Sequence, residues 1–233
     1  RLPRVPVITN SYDVVLIGAG YGNLVCGALL TKRGFRVLVV GHDSPSPQYS
    51  AGPYTLPRAP FTDITANSPM ARRIYSELGL SQILRRRSHP IDPTMQLAIP
   101  GHRFELPLDA PELLDREVER EFPTIRRPID EFFQLTLQST NPIDALIDAD
   151  MMWPPDSFLE RRRFRHAARA LPPSLKPGLM GGPLDQIPAR HPFRLTVDAP
   201  LRFSSHLDAA QLTPLAVTRL YDGWLRGPHW LTG

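Results

Sequence analysis

The stretch from Tyr12 to Val40, Tyr-Asp-Val-Val-Leu-Ile-Gly-Ala-Gly-Tyr-Gly-Asn-Leu-Val-Cys-Gly-Ala-Leu-Leu-Thr-Lys-Arg-Gly-Phe-Arg-Val-Leu-Val-Val, constrains the fold more than any other part of the chain. Val14 to Ile17 is a short apolar run rich in β-branched residues, the pattern of a strand buried on both faces of a parallel sheet. Gly18 and Gly20 then permit a turn too tight for a Cβ, so that backbone amides and the positive end of the next helix can approach a pyrophosphate. That helix is predicted from about Tyr21 to Lys32, with Leu24, Val25, Ala28 and Leu29 at helical spacing and Gly34 just past its end. Val37 to Val40 makes the second parallel strand. A GxGxxG pattern alone is weak evidence, and strand and helix at the right lengths on either side make it much stronger.

Two positions depart from that fingerprint. Its third glycine falls on Asn23, and the acidic residue expected at the end of the second strand for the adenosine ribose is replaced by Gly41. Gly22 can supply the close helix-to-strand packing one position early, and His42 or Asp43 can reach the ribose from just past the strand. The candidate cofactor-binding residues are therefore Gly18, Ala19, Gly20, Tyr21, Gly22, Asn23, His42 and Asp43. No Arg directly follows Val40, so a 2′-phosphate preference is not indicated. Two readings stay open: a bound dinucleotide, or a dinucleotide fold kept for its architecture after ligand binding decayed.

A chain of 233 residues can bury a sizeable core as one large or two small domains. With 42% apolar and 21% charged residues it is globular rather than disordered, and its 27 prolines predict many short, interrupted elements. The net charge of +4 is modest, and no nucleic-acid recognition motif accompanies it. Cys26, the single cysteine, excludes a disulfide within the chain and is expected to be a small core residue of the first helix. No signal peptide and no apolar run of membrane-spanning length is visible, which points to the cytoplasm. The chain opens at Arg1, so its true start is expected upstream, with residues 1–10 a tail.

Residues 11–60 are assigned to the dinucleotide-binding βαβ unit and its exit loop, since His42 to Pro60 shows no periodicity. Residues 61–140 are expected to hold helices and a small hairpin. Ser68-Pro69 opens a helix that stops near Gly79, and Leu80 to Leu84 adds a short turn. Gln96 to Ile99 and Arg103 to Leu106 flank Pro100-Gly101-His102 as a hairpin. Asp109 with Glu112 forms a capping box for a helix ending near Phe122, and a further helix is predicted from Ile125 to Leu137.

On these residues the sequence resembles the flavin-dependent phytoene desaturase and carotenoid isomerase group, within the amine-oxidase-like flavoproteins. The resemblance rests on Asp13 to Leu24, Leu29 to Val40, Ser68 to Leu80, the hairpin at Ile99 to Pro107 and the helix ending in Glu121-Phe-Pro. It is good to about residue 135 and vague beyond, and only the first segment is a specific motif. It implies FAD rather than free NAD. Relatives usually carry a Gly-Gly-Arg segment after the second strand; the matching loop here is Ser50-Ala-Gly-Pro-Tyr-Thr-Leu-Pro-Arg, with Arg58 the nearest substitute. Relatives are also about twice as long, and this chain stops near the place where they carry a Gly-Gly segment. The resemblance therefore implies an N-terminal half, whose complement is another protein chain supplying the rest of the flavoprotein fold. Two parallel strands alone leave unpaired sheet edges.

The expected fold is thus α/β: a Rossmann-type dinucleotide-binding βαβ unit with an incomplete sheet, joined to a largely helical region over residues 141–233 that faces substrate or partner. Within that region Phe158 to Leu171 is basic and amphipathic, with Phe158, Phe164, Ala168 and Leu171 able to share a face. A membrane-surface helix, a solvated arginine face and a partner contact all fit it. The 7 histidines show no metal-ligand spacing, and no GxSxG marks a serine nucleophile. No catalytic side chain is singled out, because flavin chemistry asks mainly for orientation and electrostatics. The functional expectation is an FAD-dependent oxidoreductase or isomerase, acting on an apolar, isoprenoid or lipid-like substrate by hydride transfer to flavin. Its rival is a catalytically silent subunit that keeps the fold for docking.

Overall fold

The computed structural model describes residues 11–41, 48–57, 63–149, 154–176 and 184–231. Over these the protein is mixed α/β, and each sheet has two strands. Contacts divide it into two units, the first Arg1–Phe61 with Arg73–Ile83, the second Thr62–Arg72 with Leu84–Gly233.

In the first unit, β1 (Val14–Ile17), α1 (Tyr21–Lys32) and β2 (Val37–Val40) form a parallel β-α-β unit, with Val14 opposite Val37 and Ile17 opposite Val40. These are the bounds read from the sequence. The burial is different. Leu16, Val37 and Val39 turn towards α1, but Val15 and Ile17, on the other face, are 53% and 84% exposed. The apolar run of β1 is therefore covered on one face only. At the other end of the pair, the Asp13 carboxylate accepts bonds from the Arg36 amide at 2.8 Å and from its guanidinium at 2.9 Å. Those bonds hold the Asp13 carboxyl down at about 2.

The segment expected as a structureless exit loop contains a hairpin instead. β3 (Gln48–Ala51) and β4 (Tyr54–Pro57) pair antiparallel across Gly52-Pro53, with Gly52 at φ 60°. α2 (Pro69–Glu77) and α3 (Ser81–Arg87) follow, α3 longer than expected. Pro69 opens α2 and Gly79, at φ 74°, lies beyond its end, as predicted.

The second unit closes a core of its own. β5 (Ser88–Pro90) is followed by the hairpin of β6 (Met95–Ile99) and β7 (His102–Leu106) and by α4 (Pro111–Glu121). The expected Asp109 capping box does not form: Asp109 adopts φ 48°, and Ala110 precedes the helix without a side-chain cap. α4 secures the hairpin differently. Glu117 and Glu121, one turn apart, accept the outward N–H groups of Glu105 and Arg103 at 3.0 and 3.3 Å, which blunts the edge of β7. α5 (Arg126–Ile147) runs ten residues past its expected end at Leu137, through Pro142. A proline there forgoes the bond to the Gln138 carbonyl, and the burial of Ile143 and Leu146 beyond it offsets that loss.

α6 (Phe158–Ala167), α7 (Pro192–Ser205) and α8 (Pro214–Leu225) complete the helical region, and β8 (His229–Leu231) returns to pair with β5. At the centre Phe193 of α7, fully buried, meets Phe104, Phe122, Phe132 and Phe133 edge to face, with ring centroids 5.5 to 6.4 Å apart. Among the described residues no helix is long and apolar enough to cross a membrane.

A buried ionic cluster joins α5 to α8. Asp222 accepts from Thr140 Oγ1 at 2.6 Å and lies 2.6 Å from Arg226 Nη2 and 3.3 Å from Arg219 Nη1. Arg226 also donates to Asp144 at 2.6 Å. Removing one partner strands the others away from water. Asp222→Ala is expected to cost about 3 kcal/mol or more, read as a lower urea midpoint; a loss of under about 1 kcal/mol shows that this cluster does not clamp the helices.

His191 caps α7 through Nδ1, which accepts from Phe193 N–H at 3.2 Å and so must be unprotonated. Burial first, and His102 second, push its pKa below the ordinary 6.5. A depressed histidine favours the fold fully above 6.5 and progressively less as pH falls below it. Urea midpoints should therefore drop on mild acidification from that point. His191→Asn, which keeps the cap without the titration, should remove that part of the drop; an unchanged profile would count against the assignment.

Candidate functional site

The turn between β1 and α1 is where the candidate residues converge. Gly18, at φ 104°, lets the chain leave the strand, and its N–H donates to Val40 O at 2.7 Å, locking the turn to β2. Gly20 stands at the N-cap of α1 in extended conformation with no side-chain cap, and the first turn contains no acidic residue. Leu24 N–H, bonded to Gly20 O at 3.0 Å, is the first amide to join the helical ladder. The amides before it sit at the positive end of the helix, beside the C-terminal ends of both parallel strands. That is the geometry in which backbone N–H groups receive an anion.

Two of the glycines present bare backbone. A Cβ built on Gly20 or on Gly22 meets nothing within 4 Å. The expectation that Gly22 packs helix against strand is thereby corrected. That role belongs to Gly27, buried on the inner face, where a Cβ would lie 3.2 Å from Leu16 Cδ1 and 3.5 Å from Val39 Cγ2. The close-packing glycine sits one helical turn beyond the third position of the fingerprint. Its signal was present in the sequence as a glycine inside a helix interior, where glycine needs a packing reason.

Asn23, at the position that departs from the fingerprint, has work of its own. Its Nδ2 donates to the carbonyls of Ile17 at 2.8 Å and Gly18 at 3.1 Å, tying the helix start to the strand end. Ala19 touches the other departure: a Cβ on Gly41 would stand 3.1 Å from Ala19 Cβ. An acidic side chain at Gly41 would therefore crowd the turn. Tyr21 Oη and Tyr75 Oη of α2 lie 2.7 Å apart, and Glu77 receives Arg33 at 2.9 Å while its backbone oxygen accepts from Lys32. Tyr75 and Glu77 had no sequence signal, because only folding brings α2 alongside α1. His42, Asp43 and Arg58 lie outside the described residues.

Cys26 is exposed on α1 rather than in a core. Exposed with it are Leu24, and Val40 at the end of β2, so the apolar surface of this unit extends around the turn. Compared with models of protein families, with curated proteins and with solved structures, the chain finds no match.

The two kinds of glycine separate under mutation. Gly27→Leu is expected to destabilise the first unit by about 2 kcal/mol through overpacking, whereas Gly22→Ala should leave its thermal midpoint unchanged or slightly higher. Equal effects of the two substitutions would show that α1 is not held against the strands at Gly27.

Proposed function

We propose that the turn between β1 and α1 receives the pyrophosphate of FAD. On this reading the chain is one half of a two-chain, FAD-dependent oxidoreductase or isomerase of the phytoene desaturase kind, acting on an apolar, isoprenoid or lipid-like substrate. The observation that carries the reading is the uncapped N-terminus of α1 beside Gly20 and Gly22, where missing side chains leave room for a ligand at the backbone.

Within this proposal each residue has a limited task. The amides around Gly20, Tyr21 and Gly22 donate to the diphosphate oxygens, and the helix dipole adds to their field. Gly18, bonded to Val40 O, lets the chain leave the strand, and Asn23 holds the turn to the strand by its two carbonyl bonds. Bound FAD supplies the hydride acceptor, and the protein's share is to orient it and exclude water. The exposed apolar side chains of Val15, Ile17 and Val40 support a complementary chain that covers the second face of the strand pair.

One contact favours the rival, a catalytically silent subunit that keeps the fold for docking. Gly41 packed beside Ala19 leaves no acidic side chain at the place where the fingerprint holds the ribose. Colour separates the two. A purified assembly with flavin absorbance, lost in Gly20→Val while helical circular dichroism is kept, supports the enzyme. A side chain at Gly20 enters open space in the protein itself, so the fold should survive while the anion cradle fills. An assembly that stays colourless after added FAD would leave only the docking role.

A further inference from the structure

Helix α6 sorts its residues into two faces in a way the amphipathic pattern did not foretell. Phe164 turns inward, and Ala168 and Leu171 beyond the helix join it against Ile143, Leu146 and Leu175. Phe158 does not share that face. It is 76% exposed and its neighbour Leu159 56% exposed, and both stand with Arg162, Arg163, Arg165 and Arg169 around one open depression.

Among the described residues no salt bridge neutralises the arginines of this face. Glu160, the only carboxylate of the helix, is folded back onto the N–H groups of Asp156 and Ser157 at 3.0 Å as half of the capping box, and its remaining field falls on Arg163. Arg161 and Arg165 donate to carbonyl oxygens of Pro155 and Arg161 and form no ion pair with a described carboxylate. Arg162 and Arg169 form no hydrogen bond or ion pair with any described residue.

Guanidinium groups and two adjacent bare apolar side chains make different demands on whatever meets them. A uniformly polar acidic peptide or a duplex met through its phosphate backbone would satisfy the arginines and leave Phe158 and Leu159 against a polar surface. A bilayer with anionic headgroups satisfies both, with phosphates at the depth of the guanidinium forks and acyl chains just beneath. We propose that the exposed face of α6 docks this protein onto an anionic lipid bilayer, with Phe158 and Leu159 inserted below the headgroups. This docking does not rest on the FAD reading.

Flotation of the whole chain with lipid vesicles tests it, because bound protein rises and aggregate sinks. The chain should float with vesicles of phosphatidylcholine containing added phosphatidylglycerol and stay below with phosphatidylcholine alone. The triple substitution Arg162→Glu, Arg163→Glu, Arg169→Glu should weaken binding roughly a hundredfold. The pair Phe158→Ser, Leu159→Ser, which leaves the charge untouched, should weaken it roughly a hundredfold or more. All these side chains are exposed, so circular dichroism should be unchanged. No flotation with either vesicle, equal flotation with both, or indifference to either set of substitutions overturns the proposal. So does binding by the Phe158, Leu159 variant at wild-type strength that soluble polyphosphate fully displaces, since the face would then serve a polyanion in solution.

Discussion

Helix α1 can lie against its two strands because Gly27 brings only backbone to the contact with Leu16, Val37 and Val39. Two parallel strands cannot be joined by a tight turn, so the chain must cross back over the sheet, and where that crossover sits decides everything near it. With α1 drawn close, its N-terminus opens beside the ends of both strands, the Gly18 amide reaches Val40, and Asn23 reaches the carbonyls of Ile17 and Gly18. The open N-terminus of α1 at the turn is thus tied to a packing contact on the far side of the helix. At the third position of the fingerprint stands Asn23, which braces the turn, and Gly27 makes the close contact one turn further along the helix.

The two units differ in how completely they satisfy their own residues. The second has Phe193 ringed by four other aromatic side chains and a buried ionic cluster around Asp222 that fixes α5 to α8. The first covers its strand pair on one side and leaves Val15 and Ile17 bare on the other. A parallel pair is ordinarily buried on both faces, since its crossover helices are what cover it. That imbalance, rather than any catalytic side chain, supports the reading of a flavoprotein fold shared with a complementary chain.

Much of the secondary structure could be read directly. The bounds of β1, α1 and β2 follow from β-branched runs and glycines, Ser68-Pro69 marks the start of α2, and Pro100-Gly101 marks the β6 to β7 turn. Local signals failed where a local rule was outweighed or overlooked. The pattern predicts a helix end at Leu137, yet burial of Ile143 and Leu146 carries α5 on through Pro142. Asp109 and Glu112 have the spacing of a capping box, which forms instead at Ser157 and Glu160, where the same spacing was equally legible. Gly52-Pro53 joins a hairpin whose strands lack clear alternation.

The sequence by itself determined the order of the β-α-β unit, the glycines of its turn and the helical character of the last third, because these depend on backbone freedom and on spacing within a few residues. Only the tertiary structure decided which glycine packs and which stand open, that Gly41 abuts Ala19, that Tyr75 meets Tyr21, and that Phe158 faces outward among arginines. Those are contacts between surfaces far apart in the chain, and burial, which ranks one helix face above another, exists only once the surfaces have met.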